Sequence, residues 1–213
     1  CLKIEAVLLD YGGVFTPSPF TAVERLGTEL GAAPGELVEV IFGPYDRDTD
    51  HPWHRLERGE LGLLQARDEI LALGERRGLR ADLFDLLRAM GSLEGGIRQN
   101  VVEHVLALRR GGFRTAVVTN NVAEFGEHWR RSIPIDELFD AVVDSSEARC
   151  RKPAARIFHL TLERLGIGAP ERAVFLDDFA GNVAAARRLG MHGILVEEDP
   201  AAALADLDRL LGR

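Results

Sequence analysis

The segment Glu5-Ala6-Val7-Leu8-Leu9-Asp10 decides the fold. It is a continuous apolar run that ends in an acid. Such runs mark strands buried on both faces, as in parallel sheets covered by helices. Four further segments have the same character: Arg114–Asn120, Phe139–Ser145, Ala173–Asp178 and Gly193–Val196. Helical patterns of crossover length lie between them, at about Gly96–Arg110, Pro153–Leu165, Gly181–Leu189 and Ala201–Leu211. Pro153 is expected in the first turn of its helix, and Gly166 is expected to close it. This alternation predicts an α/β protein, a doubly wound (Rossmann-like) parallel sheet of about five strands.

One interval breaks the alternation. Apolar stripes at Phe20–Leu30, Leu37–Phe42, Leu61–Leu73 and Leu83–Met90 make it almost wholly helical, and Gly/Pro signals flank it on both sides. We expect a core of residues 1–14 and 94–213, with an α-helical cap domain of residues 15–93 inserted after the first strand. The 213 residues are 46% hydrophobic and 28% charged, a globular mixture with enough chain for a real core. Their net charge of −8, without a basic run, argues against nucleic acid and anionic membranes as partners. No apolar stretch approaches the ~20 residues of a membrane span, and no signal-peptide pattern opens the chain. Two cysteines are too few for a disulfide framework. A cytoplasmic location and a monomer or homodimer are the expectations.

In open parallel sheets, ligands bind beyond the carboxyl ends of the strands, where strand order reverses. The polar residues at those ends are Asp10, then Tyr11-Gly12-Gly13; Thr119-Asn120-Asn121; Lys152-Pro153 in a loop; and Asp177-Asp178, followed by a helix that Gly181-Asn182 helps to open. Clustered carboxylates suit a hard cation such as Mg²⁺. Lysine supplies a point charge for a phosphate, and hydroxyl and backbone N–H groups donate to its oxygens. Two adjacent acids at the end of a buried strand repel unless a cation is near.

The stretches LLDYGGV, VVTNN, RKP and FLDDFAGNVAAARRLGM, in this order, resemble the four motifs of the haloacid dehalogenase-like hydrolase superfamily. The last stretch, with the segment KPAARIFHLTLERLG before it, resembles the N-terminal phosphatase domain of soluble epoxide hydrolases and bacterial hydrolases of the same branch. The resemblance covers essentially the whole chain and implies a Mg²⁺-dependent phosphatase of a small phosphorylated metabolite. By its motifs, Asp10 matches the nucleophile that becomes an aspartyl-phosphate. Asp10, the Gly12 carbonyl and Asp178 match the metal ligands, with Asp177 acting through water or orienting the site. Thr119 matches the phosphate-binding hydroxyl with Asn120 beside it, and Lys152 matches the lysine that neutralises nucleophile and phosphate.

One position departs from the pattern. Phosphatases of this kind usually carry a second aspartate two residues after the nucleophile, as acid and base for the leaving group and the water; here Gly12 stands there. A substrate with a good leaving group, a proton from Thr16, His54 or water, or a phosphate-binding or regulatory protein with poor turnover would each account for it. A metal-free 2-haloacid dehalogenase is a further alternative, opposed by the Asp177-Asp178 pair. In the helical interval, Trp53 with His51, His54, Arg55 and Arg58 is the richest polar–aromatic cluster. Trp53, His54 and Arg55 either face the substrate or comprise a core tryptophan among solvated charges. Arg149 and Arg151 flank Lys152 as ordinary surface arginines or as anion attractors, and Cys150 has no histidine beside it in sequence.

Overall fold

In the computed structural model, which describes residues 3–91 and 96–213, five parallel strands form one sheet. They are β1 (Ala6–Leu9), β2 (Arg114–Thr119), β3 (Ala141–Asp144), β4 (Ala173–Asp177) and β5 (His192–Leu195). Each expected strand is present, its ends within two residues of the sequence expectation. The sheet order is β3-β2-β1-β4-β5, so β1 lies at the centre. There Leu9 stands opposite Val117 on one side and Leu176 on the other.

The apolar run of β1 is explained by its two covered faces. Side chains alternate across a strand. Val7 and Leu9 join Val117, Val174 and Leu176 in one apolar cluster, whereas Leu8 joins Ala116, Val118 and Phe175 in the other. Full burial of each leucine contributes roughly 1.5–3 kcal/mol.

Between β1 and β2 lie α1 (Pro19–Glu29), α2 (Glu36–Phe42), α3 (Pro52–Glu57), α4 (Leu63–Glu75) and α5 (Leu83–Gly91). Their inward residues, among them Val23, Ile41, Leu56, Ile70 and Leu86, make a third apolar cluster, separate from the two that sandwich the sheet. The expected domain boundary at 93/94 lies outside the described residues. Helix α3 is too short to leave a stripe in the sequence; Pro52 opens it, and the His51 Nδ1 accepts the Trp53 N–H at 3.2 Å as its cap.

The rest of the sheet is covered by α6 (Gln99–Arg110), α7 (Gly126–Ser132), α8 (Ile135–Leu138), α9 (Ser145–Ala148), α10 (Ala155–Leu165), α11 (Ala180–Arg188) and α12 (Ala201–Leu211). Pro153 does not start α10 as expected. The Lys152–Pro153 bond is cis, and Ala154 is the N-cap. Gly166 closes the helix with φ 66°, as expected. Among the described residues, no helix is long and apolar enough to cross a membrane.

Candidate active site

Strands β2 and β3 lie to one side of β1, and β4 and β5 to the other, so strand order reverses at the centre of the sheet. A crevice beyond the strand ends is the ligand position in such a sheet. Asp10 follows β1, Thr119 ends β2, and Asp177 ends β4 with Asp178 after it. The loop after α9 brings in Lys152, whose side chain is fully buried. Its Nζ lies 2.7 Å from Asp10 Oδ1 and 2.7 Å from Asp177 Oδ2. Burial opposes the lysine charge, but the two carboxylates outweigh it and raise the pKa, so the ammonium persists.

The three acids are not equivalent. Asp177 is filled by the protein: besides Lys152, its Oδ1 accepts the Phe179 N–H at 2.8 Å, and Asn182 Nδ2 lies 3.1 Å from both oxygens. Asn182 therefore holds the site and does not cap α11, whose N-cap is Phe179. Asp10 Oδ1 also accepts the Tyr11 N–H at 2.7 Å, and among the described residues no donor reaches its Oδ2. Asp178 has a buried Oδ2 without any partner among the described residues. Burial pushes Asp10 well above the ordinary carboxylate range; Lys152 pulls it back, and Asp177 and Asp178 push it up again. Burial and then Asp177 raise Asp178 to about 7, against the pull of the Ser18 hydroxyl.

Oxygens of Asp10, Asp177 and Asp178 lie within 4.8 Å of one another. Three crowded carboxylates, one with an orphaned buried oxygen, form a donor set for a hard cation. The residues present therefore fit Mg²⁺. The free oxygens of Asp10 and Asp178 suit direct contact, and the saturated Asp177 suits an orienting role.

The two glycines after Asp10 differ. Gly13 has φ 72°, and a Cβ there would sit 2.0 Å from Asp178 Oδ2. Only glycine fits both the backbone and the carboxylate. Gly13→Ala should lower stability by about 1–3 kcal/mol from backbone strain alone and displace Asp178. Urea unfolding measures the first effect, and Mg²⁺ titration calorimetry shows the second as lost binding. At Gly12 the backbone is ordinary, and an added Cβ would meet only Pro19, its Cδ at 3.5 Å and its Cγ at 3.8 Å.

Thr119 is buried, and its Oγ1 makes only a marginal bond of 3.5 Å to the Asn120 carbonyl, which leaves the hydroxyl free for a ligand. Asn120 is committed elsewhere. Its Oδ1 accepts the Lys152 N–H at 2.8 Å, and its Nδ2 donates to the Lys152 carbonyl at 3.1 Å. A cleft of about 550 Å³ reaches Asp178 between Gly13, Ser18, Thr21, Arg25 and Arg98. Arg98 braces its wall by donating to the carbonyls of Gly13, Val14 and Glu198.

The candidates from the helical block are not brought to this site. His54 is completely buried, with Nδ1 against the Thr49 N–H at 3.0 Å and the Thr49 hydroxyl at 2.9 Å. Burial and Arg151 lower its pKa to about 3, so it has no imidazolium proton to give near neutral pH. Trp53 packs into the third apolar cluster with its ring 4.8 Å from Phe42, and Arg55 pairs with Glu69 at 3.2 Å. Thr16 donates to the Pro17 carbonyl.

Arg149 is exposed and donates to the Gly59 carbonyl, but Arg151 is not a surface arginine. It is fully buried, and its Nε donates to Glu57 at 2.6 Å. Burial raises the Cys150 thiol pKa, which does not suit a nucleophile. From the block, Ser18, Thr21 and Arg25 line the cleft at Asp178, and Tyr45 and Phe20 pack beside it. Their rings lie 5.1 and 5.2 Å from Phe179, the neighbour of Asp178. No sequence signal marked them.

The family model described as haloacid dehalogenase-like hydrolase matches residues 4–190. The chain is 32% identical, over 97% of its length, to acyl-CoA dehydrogenase family member 10 of Mus musculus, of which it covers 19%. It is 32% identical, over 99% of its length, to bifunctional epoxide hydrolase 2 of Sus scrofa, of which it covers 39%. The chain thus spans less than half of these curated relatives. A phosphoglycolate phosphatase and a 2-haloacid dehalogenase also match. Among solved structures, a HAD-family enzyme of Bacteroides thetaiotaomicron in complex with magnesium and inorganic phosphate superposes with TM-score 0.63. Its identity is 20%, over 92% of this chain and 96% of that one.

Proposed function

The chain belongs to the haloacid dehalogenase-like hydrolases, and on that premise we propose that it is a Mg²⁺-dependent phosphatase of a small phosphorylated metabolite. The observation that carries this is the buried, unpartnered Asp178 Oδ2 beside two further carboxylates and a buried lysine.

Asp10 Oδ2, the oxygen without a protein donor, attacks phosphorus and forms an aspartyl-phosphate as the leaving oxygen departs. Water then attacks phosphorus and frees Asp10. Lys152, already against Asp10 Oδ1, neutralises charge on nucleophile and phosphate. The Thr119 hydroxyl donates to a phosphate oxygen, and Asn120 fixes the main chain of Lys152. Mg²⁺, held by Asp10, the Gly12 carbonyl and Asp178 with Asp177 orienting, would offset the repulsion between the phosphate and a carboxylate nucleophile. The helical block covers the site as a cap.

The leaving group lacks a built-in acid at Gly12, and neutral His54 does not replace it. Acyl or anomeric phosphates, whose leaving groups need little protonation, suit this site best. Gly12 also supports a second reading, a phosphate-binding protein with poor turnover. A metal-free dehalogenase gains no support from Asp178, which such chemistry leaves without a cation to bind. Halide release from 2-haloacids by chelator-treated protein would revive it.

Phosphate release from acyl phosphates and phosphate monoesters, with Mg²⁺ and with chelator, tests the proposal. Release that chelator abolishes supports it. Release insensitive to chelator, or none from any substrate, overturns it. Mg²⁺ should also stabilise the fold, by about 2.7 kcal/mol at a concentration of 100 Kd. That gain should vanish in Asp178→Asn, as thermal unfolding at increasing Mg²⁺ will measure.

A further inference from the structure

The helical block meets the sheet around the end of α3, and the contact there is polar. Glu57 is almost fully buried. Its main-chain carbonyl accepts the Ser145 hydroxyl at 2.6 Å, its Oε2 accepts Arg151 Nε at 2.6 Å, and its Oε1 accepts the Tyr45 hydroxyl at 2.9 Å. The Arg151 guanidinium lies over the Tyr45 ring, 4.6 Å from its centroid. Two residues on, Gly59 passes so close to the Ser146 carbonyl that a Cβ would stand 2.7 Å away.

The bonds continue into the site. The Tyr45 hydroxyl accepts one Asn120 Nδ2 hydrogen at 3.3 Å, and the other goes to the Lys152 carbonyl at 3.1 Å. Asn120 Oδ1 accepts the Lys152 N–H at 2.8 Å. Glu57, Tyr45, Asn120 and the Lys152 main chain thus form one series. The same Glu57 carboxylate holds Arg151, the residue before Lys152. The Tyr45 ring also packs edge-on against Phe179, the neighbour of Asp178, at 5.1 Å.

We infer that Tyr45 and Glu57, both from the helical block, are positioning residues for Lys152: through Asn120 and Arg151 they hold the main chain on both sides of its Cα, so that the ammonium stands between Asp10 and Asp177 only when the block is seated on the sheet. A buried ion pair such as Glu57–Arg151 is a poor source of stability compared with apolar packing. A buried polar network does narrow the geometry its members can adopt, and here one atom, Arg151 Nη2, has no hydrogen-bond partner among the described residues. The cap thereby becomes a condition for the charge arrangement at the sheet. The functional consequence rests on Lys152 being the phosphate-site lysine; the bonding itself does not.

Tyr45→Phe is the test, since it keeps the ring and removes only the hydroxyl. Amide hydrogen exchange, read residue by residue by NMR, reports the Lys152 N–H directly. Exchange at Lys152 should quicken by about tenfold, the worth of one hydrogen bond. Amides of Leu8 and Phe175 in the central strands should be unchanged. Binding of inorganic phosphate in the presence of Mg²⁺ should weaken by a similar factor, and Tyr45→Phe combined with Asn120→Ala should be no worse than Asn120→Ala alone. Unchanged exchange at Lys152, or additive losses in the double variant, would overturn the inference. Wild-type protein that fails to bind phosphate, with Lys152 exchange still responding to Tyr45→Phe, would overturn the phosphatase proposal and leave the positioning role standing.

Discussion

Asp10→Asn should release no phosphate above background from any substrate that the wild type hydrolyses, a loss on the order of 10⁴-fold or more. The substitution keeps the shape of the side chain and removes the charge that makes Oδ2 a nucleophile. It should not unfold the protein. Lys152 keeps Asp177 at 2.7 Å, and removing one of three crowded, buried carboxylates lessens their mutual repulsion. In the absence of metal, the variant should therefore melt no lower than the wild type. Steady-state phosphate release beside thermal unfolding, with and without Mg²⁺, separates the two effects. Undiminished hydrolysis by Asp10→Asn would refute the aspartyl-phosphate.

Gly12→Asp should act in the opposite direction. A positioned acid–base group is worth typically ~10²–10⁴ in rate, and a Cβ fits there. The backbone at Gly12 is not left-handed, and the nearest atom to an added Cβ is Pro19 Cδ at 3.5 Å. Simple alkyl phosphates, whose leaving alkoxides need a proton, should gain close to that whole range. Acyl phosphates should gain little. Initial rates on both classes decide the matter. Equal rates for wild type and variant on alkyl phosphates would mean that a proton already arrives by another route. A variant active where the wild type is silent would show an intact phosphate site short of its acid. The contrast with Gly13 is steric: a Cβ two residues after the nucleophile makes ordinary contact with Pro19, whereas one residue later it strikes Asp178.

The parts of the fold that announce themselves in the sequence are those governed by local rules. A doubly covered strand must be apolar throughout, so β1, β2 and β4 stand out. The polar residue at or just after the end of each is conspicuous against the apolar run, which marks Asp10, Thr119 and Asp177. Lys152 was legible as a chemical type in a loop, and its role came from a motif. The misreadings share a cause. His54 and Arg55 lie in a polar, aromatic stretch, and nothing in their spacing tells that α3 turns His54 inward to Thr49. Arg151 looks like a solvated arginine because its partner Glu57 lies 94 residues away. Tyr45 meets Asn120 across 75 residues. Contacts of that kind are set by how two layers pack, which no periodicity encodes. Pro153 reads as a first-turn residue by its frequency there, but it lies before the N-cap Ala154, in a loop whose Lys152 main chain bonds to Asn120.

The central place of β1 bears on how the chain reaches this structure. Ala6 finds its partners only at Arg114 and Ala173, on either side of it in the sheet. During synthesis the strand that carries Asp10 emerges with both edges unsatisfied, and the five-helix block follows before either neighbour exists. That block has its own apolar cluster and can begin to condense from local contacts, whereas the sheet must wait for long loops to close. Until β2 arrives, an apolar strand with open edges is the segment most exposed to pairing with another chain. Folding yield at high concentration is thus expected to be sensitive to substitutions in the strand that leads to Asp10.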